Sequence, residues 1–117
     1  MNLNKTSLSG VFLIEIEKLN DERGFFARTF DSNFFEDSGL TSKFVQSSIS
    51  HNVQKGTLRG MHYQVDPYAE TKLISCTNGK IFDVLIDLRP DSKTFKKWQS
   101  FELESTHYSS IYIPERI

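Results

Sequence analysis

The chain has 117 residues, 14 Lys and Arg against 15 Asp and Glu, a net charge of -1 and a single cysteine, and it is 38% hydrophobic and 13% aromatic. One globular domain spanning 1–117 is expected, with a core small enough that a partner subunit would help to cover it. The charge balance excludes a nucleic-acid or anionic-membrane binder held by bulk charge, and Cys76 alone can form neither an intrachain disulfide nor a thiolate cage, which points to a reducing, cytoplasmic compartment.

The opening Met-Asn-Leu-Asn-Lys-Thr-Ser has no apolar stretch behind its lysine, so neither a signal peptide nor a membrane span is expected. Abundant Ile, Thr and Phe, with alanine only at Ala27 and Ala69, favour strands over helices. Short apolar or alternating runs predict strands at Val11 to Ile16, Phe25 to Phe30, Phe44 to Ile49, Thr57 to Gln64, Lys72 to Thr77, Ile81 to Leu88, Trp98 to Leu103 and Ile111 to Ile113. One short helix is predicted over 33–38, with Asn33 as its cap, Glu36 three residues later and Gly39 as its left-handed exit. Many evenly spaced short strands without a linker or repeat mean an antiparallel sandwich or barrel.

Two strands invite a closer reading. In Ile81 to Leu88 one face is Phe82, Val84, Ile86 and Leu88, wholly apolar and therefore expected to be covered, while the other mixes Asp83 and Asp87 with Ile81 and Leu85 and could line a wet pocket or face solvent. In Thr57 to Gln64, strict alternation separates Arg59 from His62, and Gly60 offers a bulge that re-aims them. Gln46, Ser48 and Ser50 share a face suited to a hydrated cavity.

Metal-binding β-barrels of the cupin kind use His-x-His with a carboxylate and a distant His. Here the second position is Gln64, a poor ligand, and neither His51 nor His107 fits the spacing, so a metal-free site is expected.

The segments Asp21-Glu22-Arg23-Gly24-Phe25-Phe26, Phe44-Val45-Gln46, Gly56 to Gln64, Lys72-Leu73 and Phe82 to Arg89, with Ser92-Lys93-Thr94-Phe95, resemble the dTDP-4-dehydrorhamnose 3,5-epimerases and related sugar-nucleotide epimerases, in that family's order along nearly the whole chain. The resemblance implies a cupin-type antiparallel jelly roll, no metal and no cofactor, a homodimer with exchanged N-terminal strands, and a part in making activated deoxysugars. It also implies roles. His62 matches the general base, Lys72 the cation at the enolate oxygen, Arg59 and Arg23 the diphosphate and nucleotide contacts, with Arg23 reaching the partner's site, and Gln46 a pocket-lining polar group. Phe26 could stack on a base or sugar, although in a chain with ten phenylalanines a core position is the ordinary reading. A lone strand His, a solvated Lys72 and an Arg23 that merely decorates a turn are the corresponding bland readings.

Two positions depart from the family pattern: Arg28 stands where many members carry an acid, and Ser48 where many carry asparagine, so substrate recognition there is expected to differ. Family sequences also run on beyond the Tyr112 to Glu115 segment, and their tyrosine acid and the aspartate that orients the histidine lie in that part. The chain is therefore expected to be the N-terminal portion of the jelly roll, with the acid and the His62 partner beyond Ile117. The alternatives are a non-catalytic remnant and a metal-free 3,4-ketoisomerase relative.

Overall fold

The computed structural model describes residues 1–117. In chain order its elements are β1 (Asn2–Lys5), β2 (Phe12–Glu15), β3 (Leu19–Asp21), β4 (Gly24–Phe26), α1 (Ser32–Asp37), β5 (Lys72–Ser75), β6 (Lys80–Ile86), β7 (Trp98–Glu104) and β8 (Ser110–Ile113). Every strand pairing is antiparallel: a four-stranded sheet in the order β1-β2-β8-β5, and the two-stranded pairs β3-β4 and β6-β7.

The arrangement follows from β8, in which all four residues are buried. Tyr112 lies opposite Phe12 on β2 and Leu73 on β5, while Ile111 lies opposite Leu13 and Ile74. Because cross-strand partners share a face, the alternation Ile111-Tyr112-Ile113 feeds two cores. Tyr112 joins Ile14 and Phe35 on the helix side. Ile111 and Ile113 join Leu8, Val11, Leu85, Leu103 and Ile117 on the other, where β6 and β7 pack.

Helix α1 forms where it can bury Phe35, which is fully covered and contacts Phe30, Phe44 and Tyr112 at ring separations of 5.0, 6.2 and 5.9 Å. Its cap is Asp31, whose carboxylate accepts from Phe34 N at 3.1 Å, and not Asn33. Asn33 lies inside the first turn. Gly39 does take the left-handed exit, at φ +72°.

The face of β6 is inverted relative to the alternation argument. Phe82 is 69% exposed and Trp98, on the same face of β7, is 66% exposed. Ile81 and Leu85 face the core with Leu103 and Phe101. The inner face tolerates Asp87 because every lone-pair direction of that fully buried carboxylate is used. Arg89 donates from Nε at 2.9 Å and Nη2 at 2.8 Å, Ser92 and Thr94 donate their hydroxyls at 2.6 Å each, and Arg89 N adds a bond at 3.0 Å. Thr94 Oγ1 in turn accepts from Ser9 N at 3.0 Å, tying the β1-β2 turn to the loop after β6.

Two expected strands are missing. Phe44 to Ile49 and Thr57 to Gln64 carry no regular structure, and every residue from Val45 to Tyr68 is exposed. Alternation makes a strand only where a neighbouring strand takes up the backbone N–H and C=O groups, and no other segment pairs with either run. β1 and β3, by contrast, form despite weak patterns because each pairs with its successor, β3 through the two-residue turn Glu22-Arg23 and β1 across the longer connection 6–11.

Burial alone raises the Asp87 pKa, but the bonds from Arg89, Ser92 and Thr94 outweigh it and hold the carboxyl well below the usual range. The folded state then binds fewer protons than the unfolded chain, so the stability from this group is complete above the ordinary Asp value of 3.8 and is lost as pH falls through the folded value. Asp87→Asn is expected to cost about 3 kcal/mol at neutral pH, with the gap to wild type narrowing below about pH 4. Urea titrations of both chains across that range measure it, and a gap independent of pH contradicts the charge-based account.

Candidate active site

The seven residues singled out by sequence fall on three parts of the fold. Lys72 opens β5 opposite Ile113, on the sheet face that packs toward β6 and β7. Asp83 of β6 lies on the inner face of its own pair, together with Ile81 and Leu85. These two polar groups therefore both lie on the inter-sheet side. Asp83 is half-buried and its pKa is raised by desolvation, partly offset by a backbone hydrogen bond from Val84. Lys72 is three-quarters covered, and its Nζ is 3.8 Å from Glu70 Oε1.

Arg23 and Phe26 sit on the β3-β4 hairpin, where all six strand residues are exposed. The turn Glu22-Arg23 is closed by Asp21, whose Oδ1 accepts from Arg23 N at 2.8 Å and whose Oδ2 accepts from Arg23 Nη2 at 2.7 Å. The Arg23 guanidinium holds the Asp21 carboxyl below its ordinary pKa. Phe26 is 67% exposed, which rules out the core position that its abundance suggested.

Gln46, Ser48, Arg59 and His62 all lie on the unpaired Val45 to Tyr68 segment. Arg59 is held locally, donating from Nε to Asn52 Oδ1 at 2.7 Å and from Nη2 to the His51 carbonyl at 3.2 Å. Gly60 has φ +98°, and a Cβ placed there would come within 3.0 Å of His62 Nδ1, so the imidazole folds back over the glycine. The bulge expected at Gly60 is absent, because no ladder runs through the segment for it to interrupt. No hydrogen bond or ion pair joins any two of the seven side chains. One open depression of about 330 Å³ contains Glu15, Lys18, Glu102 and His107 and none of the seven.

Some contacts were not legible in the sequence. Lys18 Nζ lies 4.7 Å from the Phe25 ring centre and 4.9 Å from that of Tyr108, fixing the base of the Arg23 hairpin through cation–π contact. Tyr108, at φ +58°, gives no periodic signal. Arg28, the departure from the family pattern, pairs with the helix cap Asp31 at 3.1 Å. Tyr63 is 48% exposed, while Tyr112 is buried.

Residues 5–117 match the family described as dTDP-4-dehydrorhamnose 3,5-epimerase. The chain belongs to the dTDP-4-dehydrorhamnose 3,5-epimerase family. It is 42% identical over 116 residues to the Shigella flexneri dTDP-4-dehydrorhamnose 3,5-epimerase, covering 98% of this chain and 64% of that protein. The Elizabethkingia anophelis epimerase superposes with a TM-score of 0.93 at 39% identity, covering 99% of this chain and 63% of that one. The Legionella pneumophila epimerase, solved in complex with dTDP-4-keto-L-rhamnose, gives a TM-score of 0.86 at 37% identity over 98% of this chain and 61% of its own. The chain thus spans somewhat less than two thirds of these epimerases, and its fold is the corresponding portion of their cupin-type jelly roll.

Gly60→Ala tests the local geometry of the epimerase-like segment. The added Cβ meets the His62 ring and the positive φ is strained for alanine, but the segment has no ladder to break. The expected outcome is a displaced His62 ring resonance by NMR with an unchanged thermal midpoint. An unmoved ring contradicts the packing of His62 over Gly60.

Proposed function

We propose that the chain acts on a nucleotide-diphospho-4-keto-6-deoxysugar, removing a proton from the carbon next to the ketone. The observation that carries this reading is membership of the epimerase family along 98% of the chain, with the run Gly56 to Gln64 and Lys72 in place. A 4-keto group acidifies the neighbouring C–H bonds, so the reaction needs a base and a stabiliser for the enolate, and no cofactor. His62 takes the proton, imidazole being the side chain that most often serves as a general base. The electron pair of the broken C–H bond moves onto the carbonyl oxygen, where the Lys72 ammonium meets the developing charge. Arg59 and Arg23 offer guanidinium forks to the diphosphate oxygens. Phe26 presents an exposed ring on which a base or sugar can stack, and Gln46 and Ser48 donate to polar groups of the sugar.

Inversion needs a donor on the face opposite His62, and none of the assigned residues fills that role. His62 alone returns the proton to the face it left, which gives isotope exchange without net epimerisation. General acid–base assistance is worth about 10² to 10⁴ in rate, so full turnover by these residues alone is not expected. The exposure of Gln46, Ser48, Arg59 and His62 favours a second reading, a member that binds sugar nucleotide without catalysis. We further propose a homodimer with exchanged N-terminal strands, the exposed Arg23 hairpin reaching the neighbouring site, and a cytoplasmic role in deoxysugar synthesis. No helix is long and apolar enough to cross a membrane.

Incubation with dTDP-4-keto-6-deoxyglucose in D₂O separates the readings. Deuterium entering C3 or C5, lost in His62→Asn and reduced about 100-fold or more in Lys72→Ala, is the expected result. A folded chain that binds dTDP but exchanges neither carbon sustains the binding reading and overturns the catalytic one.

A further inference from the structure

We propose that Glu70 is a positioning residue that clamps the segment bearing His62 to the strand bearing Lys72. The inference rests on the reading above and deepens it. From Gly60 to Ala69 the backbone makes one hydrogen bond, Tyr68 N to the Val65 carbonyl at 2.8 Å, which closes a turn over 65–68. Only two side chains in that stretch hydrogen-bond at all. Asp66 receives Arg116. Gln64, turned so that its amide nitrogen faces the carboxylate, donates to Glu70 Oε1 at 2.9 Å, to Oε2 at 3.2 Å and to the Tyr68 carbonyl at 2.9 Å.

The Gln64 amide therefore reaches across the 65–68 turn and engages both oxygens of one carboxylate, which an ionised Glu can accept. Glu70 Oε1 is also the atom 3.8 Å from Lys72 Nζ, so the same oxygen faces both functional segments. The spacing adds to this. Gln64 lies two residues beyond His62, and Glu70 two residues before Lys72, so each partner of the contact is close in the chain to a functional residue. The clamp joins the part of the site held by the four-stranded sheet to the part that no sheet holds. Its action runs mainly through the shorter hydrogen bond, at Oε1, so Glu70→Gln, which leaves one accepting oxygen, keeps most of it.

The test measures deuterium exchange into dTDP-4-keto-6-deoxyglucose and calorimetric affinity for dTDP with Glu70→Ala, Glu70→Gln, Gln64→Ala and the Gln64→Ala/Glu70→Ala pair in the full chain. Misplacing His62 relative to Lys72 is expected to slow exchange about 10- to 100-fold in Glu70→Ala and Gln64→Ala, with the double variant no slower than either and dTDP affinity unchanged. Glu70→Gln is expected to recover most of the rate. Equal losses in Glu70→Gln and Glu70→Ala, or additive losses in the pair, overturn the clamp. If the folded wild type exchanges neither carbon, the catalytic reading falls and NMR decides the clamp separately. The His62 ring and Gln64 side-chain amide resonances should then move in Glu70→Ala and stay in Glu70→Gln, and resonances unmoved in both variants overturn it.

Discussion

Four residues of β8 carry the organisation of the molecule. Ser110 to Ile113 is paired on both edges and buried on both faces, so its alternation decides what lies on each side of the sheet. Tyr112 gathers Ile14, Phe35 and, through its hydroxyl, the Thr41 backbone N–H at 3.1 Å. Ile111 and Ile113 gather the β1-β2 turn and the inner face of β6 and β7. A fully buried aliphatic or aromatic side chain contributes about 1.5 to 3 kcal/mol, so a strand with no exposed residue is the most concentrated source of stability in the chain. The Asp87 node extends that core outward, because a buried carboxylate with five donors fixes the loop after β6 against Ser9.

The candidate site is built unevenly on that frame. Lys72 and Asp83 inherit their orientation from strands that β8 and its core hold in place, whereas His62, Arg59, Gln46 and Ser48 ride on a segment anchored at its ends. Phe44, in the aromatic group around Phe35, holds one end, and Gln64 with Glu70 holds the other. The chain covers 64% of the Shigella epimerase that it resembles. Arg59 and His62 lie on backbone that no ladder holds, so their placement relative to Lys72 depends on a few side-chain contacts.

Much of this could be read from the sequence, for definite reasons. β2, β5, β7 and β8 were legible because their apolar periodicity coincides with pairing on a buried sheet, and Gly39 because only a left-handed exit ends α1 there. The cap is Asp31 and not Asn33 because the Asp31 carboxylate, two residues earlier, accepts the Phe34 N–H and starts the helix there. β6 was found but turned over, since alternation alone ranks Phe82 above Asp87 as a core residue and takes no account of the donors that Arg89, Ser92 and Thr94 bring from further along the chain. Phe44 to Ile49 and Thr57 to Gln64 have the composition of strands, but pairing is a property of neighbours and leaves no mark in either run. The site residues came from resemblance, and the resemblance names them without saying how they are held.

Amide hydrogen exchange measured residue by residue tests this division most directly. If β8 organises the core and the His62 segment lies outside any ladder, the amides of Ile111, Tyr112 and Ile113 exchange slowest, through global unfolding, while those from Val45 to Tyr68 exchange close to the unprotected rate. Protection of Thr57 to Gln64 equal to that of β8 would contradict the account, because it would mean that a ladder holds the segment carrying Arg59 and His62.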